Sequence, residues 1–278
     1  MKKLALVLGG GAAKGYAHIG VLKVLEKHGI KPDLIIGTSM GALVGGIYSA
    51  GFSTEKMTEL AEKFNSIGSF SLISTLFKGN IINTNRVKKL IEKQLGETKH
   101  EDCNIKFVSI AAELSTGKEK HFSTGLLKDS IMASISIPGI FPSVQIGEHE
   151  YWNGGILNNL AINVARELMP DAVVVSVDVL GDYPKIVEKS KFKALSTLIN
   201  ANTLMLTNAM KNKPVLADVR LTITQPKVKQ LDFNGKHVQS IISHGVTETN
   251  KHIKKIKELL GVTNDKSNKR NIKERKTN

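Results

Sequence analysis

The sequence predicts an α/β protein in which helices wrap a parallel sheet. Three observations carry this. Short apolar runs that stop at glycine alternate with amphipathic segments from the first residues onward. The run "AVVVSVDVL" (Ala172–Leu180) is rich in β-branched residues, as a strand buried on both faces is. Strand, helix, strand, helix in this rhythm is how parallel neighbours are joined.

Lys3–Leu8 is a compact apolar run and reads as the first strand. Tyr16–His28 places Ile19, Leu22 and Leu25 on one face with charges between them, which predicts an amphipathic helix. Gly29 ends it and Pro32 follows, both helix-stop signals. Leu34–Ile36 is the second strand, and Ala42–Ala50, small and apolar, is a buried helix closed by Gly51. Thr54–Phe64 and Asn85–Gln94 read as helices, and "IGSFSLISTLFKGNI" (Ile67–Ile81) between them is apolar and serine-rich without a clear period. Its "SFSLISTLF" portion could line or cap an apolar channel, or simply belong to the core.

Phe107–Leu114 is a strand with which Lys118–Ser123 can pair. Leu126–Ser136 is helical up to "SIPGIFPSV", whose two prolines make a rigid turn suited to a pocket wall near Asn153. Val144–Trp152 reads as a hairpin around Gly147. Ala161–Leu168 and Phe192–Met210 are helices, Val219–Thr224 is the last strand, and Val238–Leu260 is a long lysine-rich helix. No internal repeat is visible, and one domain over residues 1–263 is expected.

The chain has 278 residues, enough to bury a full core, with 41% hydrophobic and 23% charged residues. Lys and Arg number 39 against 25 Asp and Glu, a formal charge of +14. Residues 264–278, "NDKSNKRNIKERKTN", hold six basic and two acidic residues and almost nothing apolar, the composition of a disordered basic tail. The remainder is still basic, which suits anionic headgroups or simply confers solubility. The single cysteine, Cys103, excludes an internal disulfide framework and a cysteine-based metal site. "MKKLALVLGGG" is too short in its apolar part for a secretory signal, and no run reaches the ~18–20 apolar residues that span a bilayer. A cytoplasmic protein that touches membranes only peripherally is expected, with no metal, no cofactor and no nucleic-acid partner.

Two stretches carry chemistry. "GGGAAKG" (Gly9–Gly15) lies between a strand and a helix, where glycines let backbone N–H groups turn toward an anion. It fits neither phosphate fingerprint: its lysine precedes the final glycine, and Lys14 stands at the third glycine position of G-x-G-x-x-G. The oxyanion of acyl transfer remains, with the amides of Gly10 and Gly11 as donors. The second stretch is "GTSMG" around Ser39, a G-x-S-x-G pattern that permits a strained strand-to-helix turn. Ligands of parallel sheets sit beyond the carboxyl ends of the strands, so donors and hydroxyl would share one rim. Asp178 and His237 could serve as triad partners in an α/β-hydrolase, but only one strand precedes this serine. His237, His244 and His252 fall in one polar helix and read as its solvated face.

Four blocks in order, "LGGGAAKGYAHIGVL", "IGTSMGAL", "ASISIPGIFPSV" and "WNGGILNNLAI", resemble the bacterial patatin-like phospholipases over about Lys3–Leu180. The resemblance implies a three-layer α/β/α sandwich with a mostly parallel sheet and a serine lipid acyl hydrolase working through a Ser–Asp dyad. It places Ser39 as nucleophile, Gly10, Gly11 and Ala12 at the oxyanion hole, and Lys14 and Met40 at substrate-binding positions. Phospholipid or another acyl ester would be the substrate.

The dyad aspartate of a D-G-G/A motif is replaced here by Asn153, in Asn153-Gly154-Gly155. An amide oxygen can accept a hydrogen bond from Ser39 but cannot hold a proton at neutral pH. Three accounts stand open: an Asp→Asn change made to keep substrate uncleaved, a natural pseudoenzyme (a non-catalytic lipid-binding or regulatory protein) or very slow enzyme, and deamidation of Asn-Gly that restores a carboxylate.

Overall fold

The computed structural model describes residues 1–63, 84–181, 193–211, 216–225 and 235–262. The predicted basic tail at 264–278 and the serine-rich stretch Ile67–Ile81 lie outside these residues. Among the described residues eight strands form one sheet: β1 (Leu4–Leu8), β2 (Leu34–Thr38), β3 (Lys106–Glu113), β4 (Glu119–Phe122), β5 (Val144–Ile146), β6 (His149–Asn153), β7 (Val173–Asp178) and β8 (Val219–Thr222). Their order is β5-β6-β3-β2-β1-β7-β8, with β4 also paired to β3. Strands β3, β2, β1, β7 and β8 run parallel, whereas β4, β5 and β6 are antiparallel.

The helices are α1 (Ala17–Lys27), α2 (Met40–Ser49), α3 (described over 54–63), α4 (Thr84–Leu95), α5 (Leu127–Ile135), α6 (Gly155–Asn158), α7 (Ile162–Leu168), α8 (Lys193–Lys211) and α9 (Gly235–Leu260). Alternation along β1 explains the layering. Leu4, Leu6 and Leu8 enter a large core shared with α1, α2, α5 and α9, while Ala5 and Val7 enter a second core shared with α7. The expected α/β/α sandwich is therefore present, with an antiparallel extension at one end of its sheet.

At two connections near the carboxyl edge the turns are tighter than the sequence reading predicts. The chain leaves Gly11 through a 3₁₀ turn (Ala12–Tyr16) before α1 begins. Strand β2 runs on to Thr38 and α2 starts at Met40, so Ser39 alone makes the connection. No helix among the described residues is long and apolar enough to cross a membrane.

Helices α1 and α9 cross at a contact that admits no side chain. A Cβ on Gly245 would overlap the Ala17 carbonyl, and one on Gly20 would overlap the Ile242 carbonyl. Backbone cannot yield as a side-chain tip can, so Gly245→Ala is expected to destabilise the fold by about 1–3 kcal/mol. A lowered thermal midpoint with unchanged secondary structure would show it; an unchanged midpoint would mean that α9 shifts freely.

Candidate active site

Strand β3 assembles the site. Its first half pairs with β2, ending at Thr38 opposite Ile110. One register step further, Ala111 pairs with Asn153 at the end of β6. Ser39 follows Thr38, so the two side chains arrive at one place on the sheet edge. The Asn153 Nδ2 lies 2.9 Å from Ser39 Oγ across 114 residues of sequence.

The Ser39 backbone is strained. Its φ of 56° with ψ of −121° is unfavourable for any L residue. The turn survives because it is held on several sides. The Ser39 N–H donates to Ser134 Oγ at 2.8 Å, and that hydroxyl donates to the Ile110 carbonyl at 2.7 Å. The Ser39 carbonyl accepts from the amides of Ala42 and Leu43, closing the first turn of α2. Gly41 packs so closely on the Leu8 carbonyl that any Cβ would collide with it.

Asn153 is 3% exposed, and its amide is oriented by its neighbour. The Gly155 N–H can only donate, and it donates to Asn153 Oδ1 at 2.8 Å. That leaves Nδ2 facing Ser39, where it donates to the hydroxyl oxygen. The expectation that the amide oxygen would accept from Ser39 is thus reversed.

Of the glycine-loop amides, Gly10 donates to the Asn159 carbonyl at 3.3 Å, while Gly11 and Ala12 line the pocket beside Ser39. Ala12 has a φ of 48°, so both positive-φ non-glycine residues among those described border this pocket. The cavity is small, about 30 Å³, and partly open to solvent. Its walls are Ile137 and Ile140 from the proline turn, Ile156 from α6 and Leu206 from α8, with Asn202 and Thr203 of α8 adding polar groups.

Lys14 and Met40 do not line this pocket. Lys14 is buried in the 3₁₀ turn and its carbonyl accepts from Gln225 Nε2 at 3.1 Å. Met40 is buried in the large core with its side chain against Gly15, because helical side chains lean back toward the preceding turn. Asp178 is held elsewhere: it pairs with Arg220 at 2.7 Å and accepts from the Leu180 and Gly181 amides. His237, His244 and His252 all lie on α9. Sequence reading missed Ser134, Asn159 and the α8 residues. The first two sit inside blocks already singled out, but nothing in the sequence marks α8 as a pocket wall.

Behind the loop, His18 is fully buried and its Nε2 lies 2.8 Å from the Gly9 carbonyl, the donor in a neutral ring. Burial lowers its pKa from 6.5 to about 4, against the smaller opposite pull of that carbonyl. The unfolded chain therefore binds the proton first, between 6.5 and about 4. Stability from this group is complete above that window and falls as pH drops through it, by about 3 kcal/mol in all given its pKa near 4. Denaturant titrations should show a shallower acid loss in His18→Gln than in the parent chain; parallel losses would remove His18 from this role.

The fold and pocket define a class before any name: an α/β/α sandwich that presents a strained serine at the carboxyl edge of parallel strands. The patatin-like phospholipase family model matches residues 6–166, more than half of the chain, and the protein belongs to that family. It is 32% identical over 182 residues to lysophospholipase nte1 of Emericella nidulans, covering 64% of this chain and 12% of that protein. It is 34% identical over 168 residues to an uncharacterized NTE family protein of Mycobacterium tuberculosis, covering 59% of this chain and 28% of that one. The chain thus spans well under half the length of these curated relatives. The crystal structure of VipD from Legionella pneumophila is similar with a TM-score of 0.49 at 15% identity, covering 90% of this chain and 66% of that one.

Proposed function

We propose that this chain carries a serine acyl-ester hydrolase site for lipids in which an amide occupies the seat of the general base. The supporting observation is the orientation of Asn153. Its Oδ1 is fixed by Gly155, so the second heteroatom of the side chain must face Ser39 Oγ. A carboxylate in the same seat would keep the Gly155 bond and offer its other oxygen to the hydroxyl proton. With the amide, position 153 donates instead of accepting and offers the serine proton no base.

With an aspartate at 153, Ser39 would attack an ester carbonyl while the carboxylate takes its proton. The Gly11 and Ala12 amides would hold the developing oxyanion, and water would later hydrolyse the acyl-enzyme. The isoleucine and leucine walls suit an acyl chain. A phospholipid or lysophospholipid substrate follows the family and the lysophospholipase named among the relatives. As written, the chain binds acyl lipid with turnover suppressed, which gives it the behaviour of a lipid-binding protein of the same fold.

Replacing Asn153 by Asp is expected to raise hydrolysis of short soluble p-nitrophenyl esters by about 10²–10⁴-fold. A fluorophosphonate probe should label Ser39 in that variant, and Ser39→Ala should abolish both. An Asn153→Asp protein no faster than the parent would show that position 153 is not the base and overturn the reading.

A further inference from the structure

Helix α8 is built the wrong way round for a helix that faces water. Its inner side, against the pocket and α6, carries Asn202, Thr203 and Thr207, all buried, beside Leu206. Its outer side exposes Leu198, Leu204 and Met205, at 36%, 51% and 39%, with Ala201 also exposed among them. Residues 198, 201 and 205 share one helical stripe, with 204 beside it. Just past the helix Leu216 is 82% exposed. No charged residue occurs between Lys193 and Lys211, a stretch of about five turns. Helix α9 shows the ordinary arrangement, with Val238, Ile241 and Ile256 buried and lysines outward.

We infer that the outer face of α8 is the surface by which this protein lies on an anionic phospholipid bilayer. The inference rests on the acyl-lipid reading of the pocket. Three features single out this occupant. The face is uncharged and mainly apolar, with Thr197 and Asn208 as its exposed polar residues, which suits a surface that enters the headgroup boundary. A lysine stands at each end of the helix, within a chain of +14, so its charge complements anionic lipid and opposes a basic partner or a second copy. And the same helix contributes Asn202, Thr203 and Leu206 to the wall of the Ser39 pocket. A bilayer against its outer side would bring the lipid source within one helix diameter, about 10 Å, of the pocket wall. Leu198 also covers Gly139 in the proline turn, so α8 and the pocket rim form one continuous surface.

The test is flotation of the full chain with vesicles of about one-third anionic phospholipid, compared with a Leu204→Gln/Met205→Gln variant. Both positions are exposed, and unchanged thermal midpoints would confirm that the fold is kept. The variant is expected to bind about tenfold more weakly or worse. At about 0.5 M salt, where charge attraction is screened, only the parent should retain binding. Equal binding by parent and variant would assign attachment to the basic tail or other lysines and overturn the inference, as would a parent that ignores vesicles. A parent that sediments as a dimer, with the variant monomeric and vesicle binding unchanged, would make the face a self-association surface and overturn it too.

Failure here is separable from failure of the hydrolase reading. In the Asn153→Asp background the helix substitutions should leave soluble-ester turnover intact and lower turnover only of substrate presented in vesicles. If Asn153→Asp is inert while the flotation difference holds, the surface stands and the hydrolase reading falls.

Discussion

The hydrogen-bond register of β3 is the constraint on which the site depends. One strand addresses two partners in succession: β2 parallel up to Ile110, then β6 antiparallel from Ala111. The strand that delivers Ser39 stops, and the strand that delivers Asn153 starts, at adjacent rungs of the same ladder. A side-chain pair 114 residues apart is thereby set by backbone hydrogen bonds rather than by the side chains' own attraction. A slip of one residue in either pairing would send the partner's side chain to the opposite face of the sheet. The Ile110 carbonyl strengthens the junction. It accepts from Ser134, which in turn receives the Ser39 amide, and Gly154 packs directly on it.

That rigidity explains how the chain tolerates strain where it does. Positive φ at a non-glycine residue costs about 1–3 kcal/mol and persists only where neighbours over-determine it. Ser39 is fixed by Ser134 on one side and by α2 on the other. The glycine loop carrying Ala12 is fixed through Gly9 and Gly10, whose amides reach the Val177 and Asn159 carbonyls. His18 takes the Gly9 carbonyl from behind. Gly11 and Ala12, next along the loop, line the cavity. The core thus engages the Gly10 amide, which the glycine sequence alone does not reveal.

Much of the architecture was legible because it rests on local signals. Glycine-stopped apolar runs marked β1 and β2, β-branched residues marked β7, and Gly147 marked the β5–β6 turn. What stayed hidden depends on choices made in three dimensions. Nothing local says that β6 will dock on β3 where β2 leaves off. The Gly10 amide was an expected donor toward substrate, yet the Asn159 carbonyl meets it first. Met40 follows the serine in the motif, yet helical geometry turns its side chain into the core. Helix α8 misleads most, since hydrophobic periodicity assumes that the apolar stripe faces inward. Here the inner side carries Asn202, whose amide donates to the Pro138 carbonyl, while Leu198, Leu204 and Met205 face out.

Asparagine and aspartate have the same shape, so the exchange at 153 leaves every distance in this site available while altering what the groups can do. The hydroxyl of Ser39 receives an N–H from Asn153, and Gly11 and Ala12 lie at the cavity edge. At 153 the pocket thus presents a donor where a carboxylate would present an acceptor. Such a pocket can still hold a carbonyl or carboxyl oxygen, because its donors do not depend on the missing charge. What it loses is the interaction that grows only as the serine proton departs, and that is the one that separates turnover from binding. On the proposed hydrolase reading, affinity for acyl lipid and hydrolysis of it would be distinct properties, with position 153 acting on the second and the apolar walls serving the first.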